Sequence, residues 1–153
     1  MTDDEAMGVA LDEARAAAGH GDVPVGAIVI GADGTILARR HNQRELDNDP
    51  TAHAEILALR DAAKVLGTWR LSGASLVVTL EPCPMCAGAA VAARAGRIVF
   101  GAADPKTGAT GSLYNLCADP RLNHELSVTH GVRAAEASEL LTSFFVDRRS
   151  QIE

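Results

Sequence analysis

Apolar residues open the chain at helical spacing. Ala6, Met7, Ala10, Leu11, Ala14 and Ala18 fall on one face, with Asp12, Glu13 and Arg15 off it. That pattern predicts an amphipathic helix, ended by Gly19 and Gly21. The period then changes. Val23 to Ile30 is a continuous, β-branched run opened by Pro24, which predicts a buried strand. Ala32-Asp33-Gly34 forms a turn and Thr35 to Ala38 a second strand, and Asp-Gly between two such runs signals a hairpin. Asn42 to Thr51 is polar and is expected to be a loop, with Thr51 as N-cap of the next helix. That helix runs from Ala52 to near Gly67, with Ile56, Leu57, Leu59 and Ala63 as its apolar face.

Ser75 to Leu80 predicts a third strand, which Pro82 and Pro84 stop. An Ala-rich helix starts near Pro84, where a missing N–H costs nothing, and ends at Gly96. Arg97 to Gly101 is a fourth strand and Leu126 to Thr129 a fifth. Residues 102–125 between them show little periodicity, and a loop that long inside a compact domain is usually functional. A final helix is expected to bury Leu140, Leu141, Phe144 and Phe145, with Arg148 and Arg149 near its C-terminal end. Strand–helix alternation after an opening hairpin predicts a three-layer α/β fold around a mixed five-stranded sheet. Residues 1–153 are expected to form one domain.

Composition adds constraints. Aromatic residues make up only 3% of the chain, so the core must be built from Ala, Val, Leu and Ile. Three Cys is an odd number, and Cys83 and Cys86 lie three apart. A metal or catalytic role in a reducing compartment suits that better than a disulfide framework. The acidic opening Met1 to Glu5 is unlike a signal peptide, and no apolar run approaches the roughly 18 residues of a membrane span. A cytoplasmic protein with no membrane partner is expected.

Two motifs carry chemistry: Thr51-Ala52-His53-Ala54-Glu55 and Glu81-Pro82-Cys83-Pro84-Met85-Cys86. Zinc accepts imidazole nitrogen and thiolate sulfur, and a catalytic site uses three protein ligands with one open position. His53, Cys83 and Cys86 supply three. Cys83 and Cys86 at a helix start project from one face, and the helix N-terminus favours their thiolates. Glu55, two residues from His53, stands beside the fourth position as a proton carrier. Glu81 precedes the ligand helix through a proline and is expected to anchor backbone rather than act as a second base. The combination His-x-Glu with Pro-Cys-x-x-Cys is the zinc-deaminase signature.

Further segments extend the likeness: Val23-Pro24-Val25-Gly26-Ala27, Asn42, Asp49 to Ile56, Thr79 to Cys83, Phe100-Gly101, Asp104, Lys106-Thr107-Gly108, Gly111-Ser112-Leu113, Asn123-His124 and Phe144-Phe145. With them the chain resembles, nearly throughout and in order, the TadA family of bacterial tRNA adenosine deaminases within the cytidine deaminase-like superfamily. The resemblance implies a three-layer α/β/α cytidine deaminase-like fold and one zinc ion per subunit. It also implies conversion of adenosine to inosine at the wobble position of a tRNA anticodon stem-loop. By the same resemblance Glu55 delivers the proton to N1 and then to the leaving ammonia. Asn42 and the backbone N–H of Ala54 hydrogen-bond the flipped base, and Val25 forms part of its apolar wall. Asp104 and Lys106 contact the flanking anticodon loop, and the enzyme works as a homodimer. Two departures from the family stand out: Pro105 after Asp104, and Gln43-Arg44 after Asn42.

Other assignments stay open at this stage. Asn123-His124 is either a contact to the substrate loop or structural. Phe144 and Phe145 suit the core, although the resemblance also implies that one ring, Phe145, reaches the anticodon loop. Arg148 and Arg149 suit either the helix macrodipole or phosphate contacts. His20 and His41 are expected at the surface, and Cys117 as a packing residue or free thiol. Two rival functions fit the metal motif: a free-base or nucleoside deaminase for guanine or cytosine, and a non-catalytic zinc-stabilised module.

The net charge of −6 argues against affinity from bulk attraction to RNA. Its distribution is uneven. Residues 1–25 hold six acids and one base, whereas the remainder holds 14 acids and 13 bases. The acidity belongs mostly to the first helix, which is therefore expected to face away from an RNA substrate.

Overall fold

A computed structural model describes residues 1–152. Helix α1 spans Asp3–Ala18. Thr2 caps it: the Glu5 N–H donates to Thr2 Oγ1 at 3.1 Å, and the Glu5 carboxylate accepts from the Thr2 N–H at 3.4 Å. Such a reciprocal cap stabilises the helix by about 1 kcal/mol. The buried face is Ala6, Met7, Ala10, Leu11, Ala14 and Ala17, with Ala17 in the place expected for Ala18. α1 lies so close to the sheet that a Cβ on Gly26 would collide with the backbone of Ala10 and Ala14.

Five strands form one sheet: β1 (Gly26–Ile30), β2 (Ile36–His41), β3 (Ser75–Leu80), β4 (Arg97–Ala102) and β5 (Ser127–Thr129). Their order is β2-β1-β3-β4-β5. β1 pairs antiparallel with β2 and β3, while β3/β4 and β4/β5 are parallel, so the sheet is mixed as expected. Alternation along the strands divides the core. Ile28, Val77 and Val99 pack with Ala6, Met7, Leu11 and Ala137 on one face. Ala27, Val29, Leu76, Val78 and Ile98 pack with Ala58, Leu59, Ala62 and Ala90 on the other. Helices α1 and α4 (Ala134–Ile152) thus cover one face, and α2 (Ala54–Leu66) and α3 (Pro84–Ala92) the other.

Several boundaries differ from expectation, each for a local reason. β1 begins at Gly26 because the Val25 N–H turns back to the Val23 carbonyl at 2.8 Å. β2 extends to His41, since edge-strand polar side chains find partners: Arg39 bonds Glu13 and Arg40 bonds Asp61. Thr51 is not the cap of α2. Its N–H and hydroxyl both donate to Asp49 Oδ1 at 2.8 Å, and His53 takes the N-cap position. α3 stops at Ala92 rather than Gly96, where Arg94 enters the left-handed region at φ 61° and donates to the Val91 carbonyl.

The final helix departs most. Among its residues Ala137 is buried, Leu140, Leu141 and Phe144 are half-buried, and Phe145 is 44% exposed. α4 has 19 residues against six in β4, or about 28 Å against about 20 Å. Its distal half outruns the strand it packs on. His20 and His41 are also half-buried rather than surface residues. Carboxylates hold them: Asp22 Oδ2 lies 2.9 Å from His20 Nδ1, and Glu13 Oε1 lies 2.9 Å from His41 Nδ1. Cys117 is buried in the core, and burial pushes its thiol up to about 11.

Candidate active site

Two helix N-termini converge beyond the C-terminal ends of β3 and β4. His53 is the N-cap of α2 and Cys83 the N-cap of α3, and neither side chain makes the capping bond usual at that position. Pro84 fixes the first turn of α3, which places Cys86 beside Cys83. His53 Nδ1 lies 3.7 Å from Cys83 Sγ and 3.4 Å from Cys86 Sγ, and the three donor atoms all lie within 4.8 Å of one another. A tetrahedral zinc with bonds of about 2.3 Å to sulfur and 2.0 Å to nitrogen would set sulfur and nitrogen about 3.5 Å apart. The donor set fits a metal ion in both chemistry and spacing. The sequence spacing brought these three together correctly.

The hydrogen bond from Cys86 holds the Cys83 thiol down at about 4, and the contact with Cys83 raises Cys86. The Cys83 sulfur raises His53 as well.

Glu55 sits in the first turn of α2 and is 4% exposed. Burial raises its carboxyl above the ordinary carboxylate range, against the lowering effect of its own backbone N–H and of His53. Glu81 behaves oppositely. Its Oε1 accepts from the Asp104 N–H at 3.0 Å and from the Ser112 hydroxyl. Its Oε2 accepts from the N–H groups of Thr110 (3.1 Å) and Ser112 (3.0 Å). Burial raises this carboxyl, but these bonds outweigh it and the net direction is down. Glu81 therefore anchors the 104–112 loop, as expected of it.

A cleft of about 710 Å³ opens over the cluster, with His53, Glu55 and Cys83 among its lining residues. Val25 and Asn42 form one side, Asp104 and Lys106 another, and Phe145 and Arg148 from the outrunning half of α4 a third. Asn42 Oδ1 accepts the Ala54 N–H at 2.8 Å and its Nδ2 donates to the Val23 carbonyl at 3.1 Å. Asn42 is thus the remote cap of α2. Asp104 turns its carboxylate inward, accepting from Lys106 N–H, Thr107 N–H and the Thr107 hydroxyl. Asn123 and His124 do not line the cleft, and His124 Nε2 lies 2.7 Å from the Ala95 carbonyl. No residue of α1 lines it either.

Sequence reasoning missed Asp22, Arg44 and Leu141 as lining residues. Arg44 and Leu141 carry a signal of their own: one is a cation two positions after Asn42, the other lies one helical turn before Phe145. Asp22 carries none, because its partners are far along the chain.

Comparison with known proteins places this arrangement. A family model described as MafB19-like deaminase matches residues 1–149. The chain belongs to the MafB19-like deaminase family. It is 49% identical over 152 residues to a tRNA-specific adenosine deaminase of Bacillus subtilis, covering 99% of this deaminase chain and 94% of that protein. It is 54% identical over 147 residues to a tRNA(Ile)-lysidine synthase of Deinococcus radiodurans, covering 95% of this chain but 25% of that longer protein. One solved structure comes from studies of A-to-I editing by tRNA:A34 deaminases at the wobble position of transfer RNA. It superposes with a TM-score of 0.86 at 44% identity, covering 90% of this deaminase and 99% of that chain. Among the described residues no helix is long and apolar enough to cross a membrane.

Proposed function

We propose that this deaminase is zinc-dependent and converts adenosine to inosine at the wobble position of a tRNA anticodon. The observation that carries the chemistry is the buried Glu55 beside three metal donors on the floor of a cleft. The near full-length likeness to tRNA-specific adenosine deaminases supports the substrate. His53, Cys83 and Cys86 hold the metal. When bound there, zinc supplies Lewis acidity that brings the pKa of water to about 7.

The chain's own residues do the rest. Glu55 takes a proton from the attacking water as its oxygen bonds to C6 of adenine, and delivers that proton to N1. It then passes the second water proton to the departing amine. The C6–N6 bond breaks, and adenosine and water become inosine and ammonia. Burial suits Glu55 to this work, since a carboxyl raised above its ordinary range holds a proton more readily between its two transfers.

Val25 and Phe145 supply apolar walls for the base. Asn42 and the Ala54 N–H satisfy one another, so an incoming base meets them by exchanging that hydrogen bond. Lys106 and Arg148 make no salt bridge among the described residues and suit flanking phosphates. Asp104 shapes the turn that presents Lys106. Asn123 and His124 lie off this cleft, and the contact of His124 Nε2 with the Ala95 carbonyl supports the structural one of the two readings of that pair. Residues 1–153 act as one deaminase domain, consistent with their match to a quarter of the longer Deinococcus protein. The working form is a cytoplasmic homodimer. Exposed apolar residues on and near α2, including Val65, Leu66 and Trp69, supply surface for it.

The test is incubation with anticodon stem-loops carrying adenosine or guanosine at the wobble position. Inosine is expected from the first and no product from the second, with about one zinc ion per chain by metal analysis. Turnover of free guanine or cytosine with none of the stem-loop would overturn the substrate. A Glu55→Ala chain as active as the parent would overturn catalysis by this site.

A further inference from the structure

The cleft is bounded by two irregular segments, and each is tied by one buried carboxylate. Glu81 ties the 104–112 loop. Asp22 ties the other. It is 2% exposed, follows α1, and reaches across 23 residues of sequence. Its Oδ1 accepts the Glu45 N–H at 2.8 Å and its Oδ2 the Leu46 N–H at 3.2 Å. The base of that segment is held independently. The Asn42 N–H donates to the Val25 carbonyl, the Gln43 N–H to the Ala52 carbonyl, and Arg40 bonds the Gln43 side chain. Its tip, residues 44–48, is exposed, and Asp22 is the one residue of another element that hydrogen-bonds it among the described residues. The tip carries Arg44, which lines the cleft and makes no salt bridge among the described residues.

We infer that Asp22 is a positioning residue that holds Arg44 at the cleft mouth, where Arg44 binds a phosphate of the substrate strand. This rests on the RNA substrate proposed above. An aspartate is required rather than its amide. The Glu45 and Leu46 N–H groups each meet one carboxylate oxygen, and His20 Nδ1 also lies 2.9 Å from Oδ2, whereas the amide of an asparagine would turn a donor towards one of the two N–H groups. A guanidinium at the mouth suits a phosphate flanking the base, which a free base does not have. Within the loop the Asp49 N–H still meets the Arg44 carbonyl, but loss of the tie frees the tip from the rest of the fold and loosens the Arg44 side chain, while the separately held base leaves Asn42 and the floor in place.

The experiment is a double-mutant cycle on the zinc-loaded enzyme with the adenosine stem-loop, reading KM and kcat separately. Arg44→Ala is expected to raise KM about fivefold. Asp22→Asn is expected to raise it by a similar factor. The double variant should be no worse than Asp22→Asn alone, because each single change removes the same contact. Independent, multiplicative effects would overturn the inference, and so would a loss confined to kcat. Arg44 is exposed, so its variant provides a second test whatever Asp22→Asn does to folding. The salt dependence of KM should become shallower by about one unit of slope in Arg44→Ala, and an unchanged slope overturns the phosphate contact. Failure of the parent enzyme on the stem-loop would instead overturn the substrate, which keeps the two failures distinct.

Discussion

Glu55 and Glu81 are two buried glutamates flanking the metal donors, one two residues after His53 and the other two residues before Cys83. They have been given opposite surroundings. Glu81 meets the N–H groups of Asp104, Thr110 and Ser112 and the Ser112 hydroxyl, and its carboxyl is held down. Glu55 has no comparable set of donors, and burial drives its carboxyl up. The same side chain is held as an anion in one place and, by the function proposed above, carries protons in the other. Environment, rather than residue type, divides structural from catalytic work.

The sharpest way to break that division is to remove each carboxylate in turn. Glu55→Gln keeps the volume and loses the proton carrier. Single-turnover inosine formation should fall by about 10²- to 10⁴-fold, while metal analysis shows zinc retained. Glu81→Gln should do something different. An amide can accept but also presents a donor to a site lined with donors, at a cost on the order of 3 kcal/mol in chemical denaturation. If Glu81→Gln left stability intact and stopped turnover instead, the two roles would be reversed.

Acid sharpens the contrast further. Glu81 is lowered in the folded chain, so its contribution to stability is fully present above the unfolded value near 4.5. It is lost as pH falls through the lower, folded value. Melting temperature measured down through that range should therefore drop more steeply for the parent than for Glu81→Gln. Parallel curves would show that the bonds to Glu81 do not favour its ionised form.

How much of this was legible beforehand follows from the range of each signal. The hairpin was readable because Asp33-Gly34 is a local instruction: Gly34 adopts φ 88° and Asp33 accepts the Thr35 N–H. The cluster of His53, Cys83 and Cys86 was readable because Cys-x-x-Cys at a helix start and His-x-Glu are short-range patterns. The Asp22 tie was not, since a carboxylate's partners 23 and 24 residues away leave no periodic trace. The α4 pattern predicts a helix that buries Leu140, Leu141, Phe144 and Phe145, and the helix forms, but none of the four is fully buried. Its periodicity carries no information on whether the sheet extends far enough to cover Phe144 and Phe145. What remains uncovered there became a wall of the cleft.

The smallest effect isolates one donor. Ser112 contributes both its N–H and its hydroxyl to Glu81, and the hydroxyl bond does most to lower that carboxyl. Ser112→Ala removes the hydroxyl and keeps the N–H. The two remaining backbone donors, from Asp104 and Thr110, are also untouched. Stability near neutral pH should fall by about 1 kcal/mol, the usual size of one such bond. The acid limb should move to higher pH without disappearing, lying between those of the parent and Glu81→Gln. That intermediate position is the informative one. A curve matching Glu81→Gln would make the hydroxyl the whole anchor, whereas a curve matching the parent would leave the work to the three backbone N–H groups.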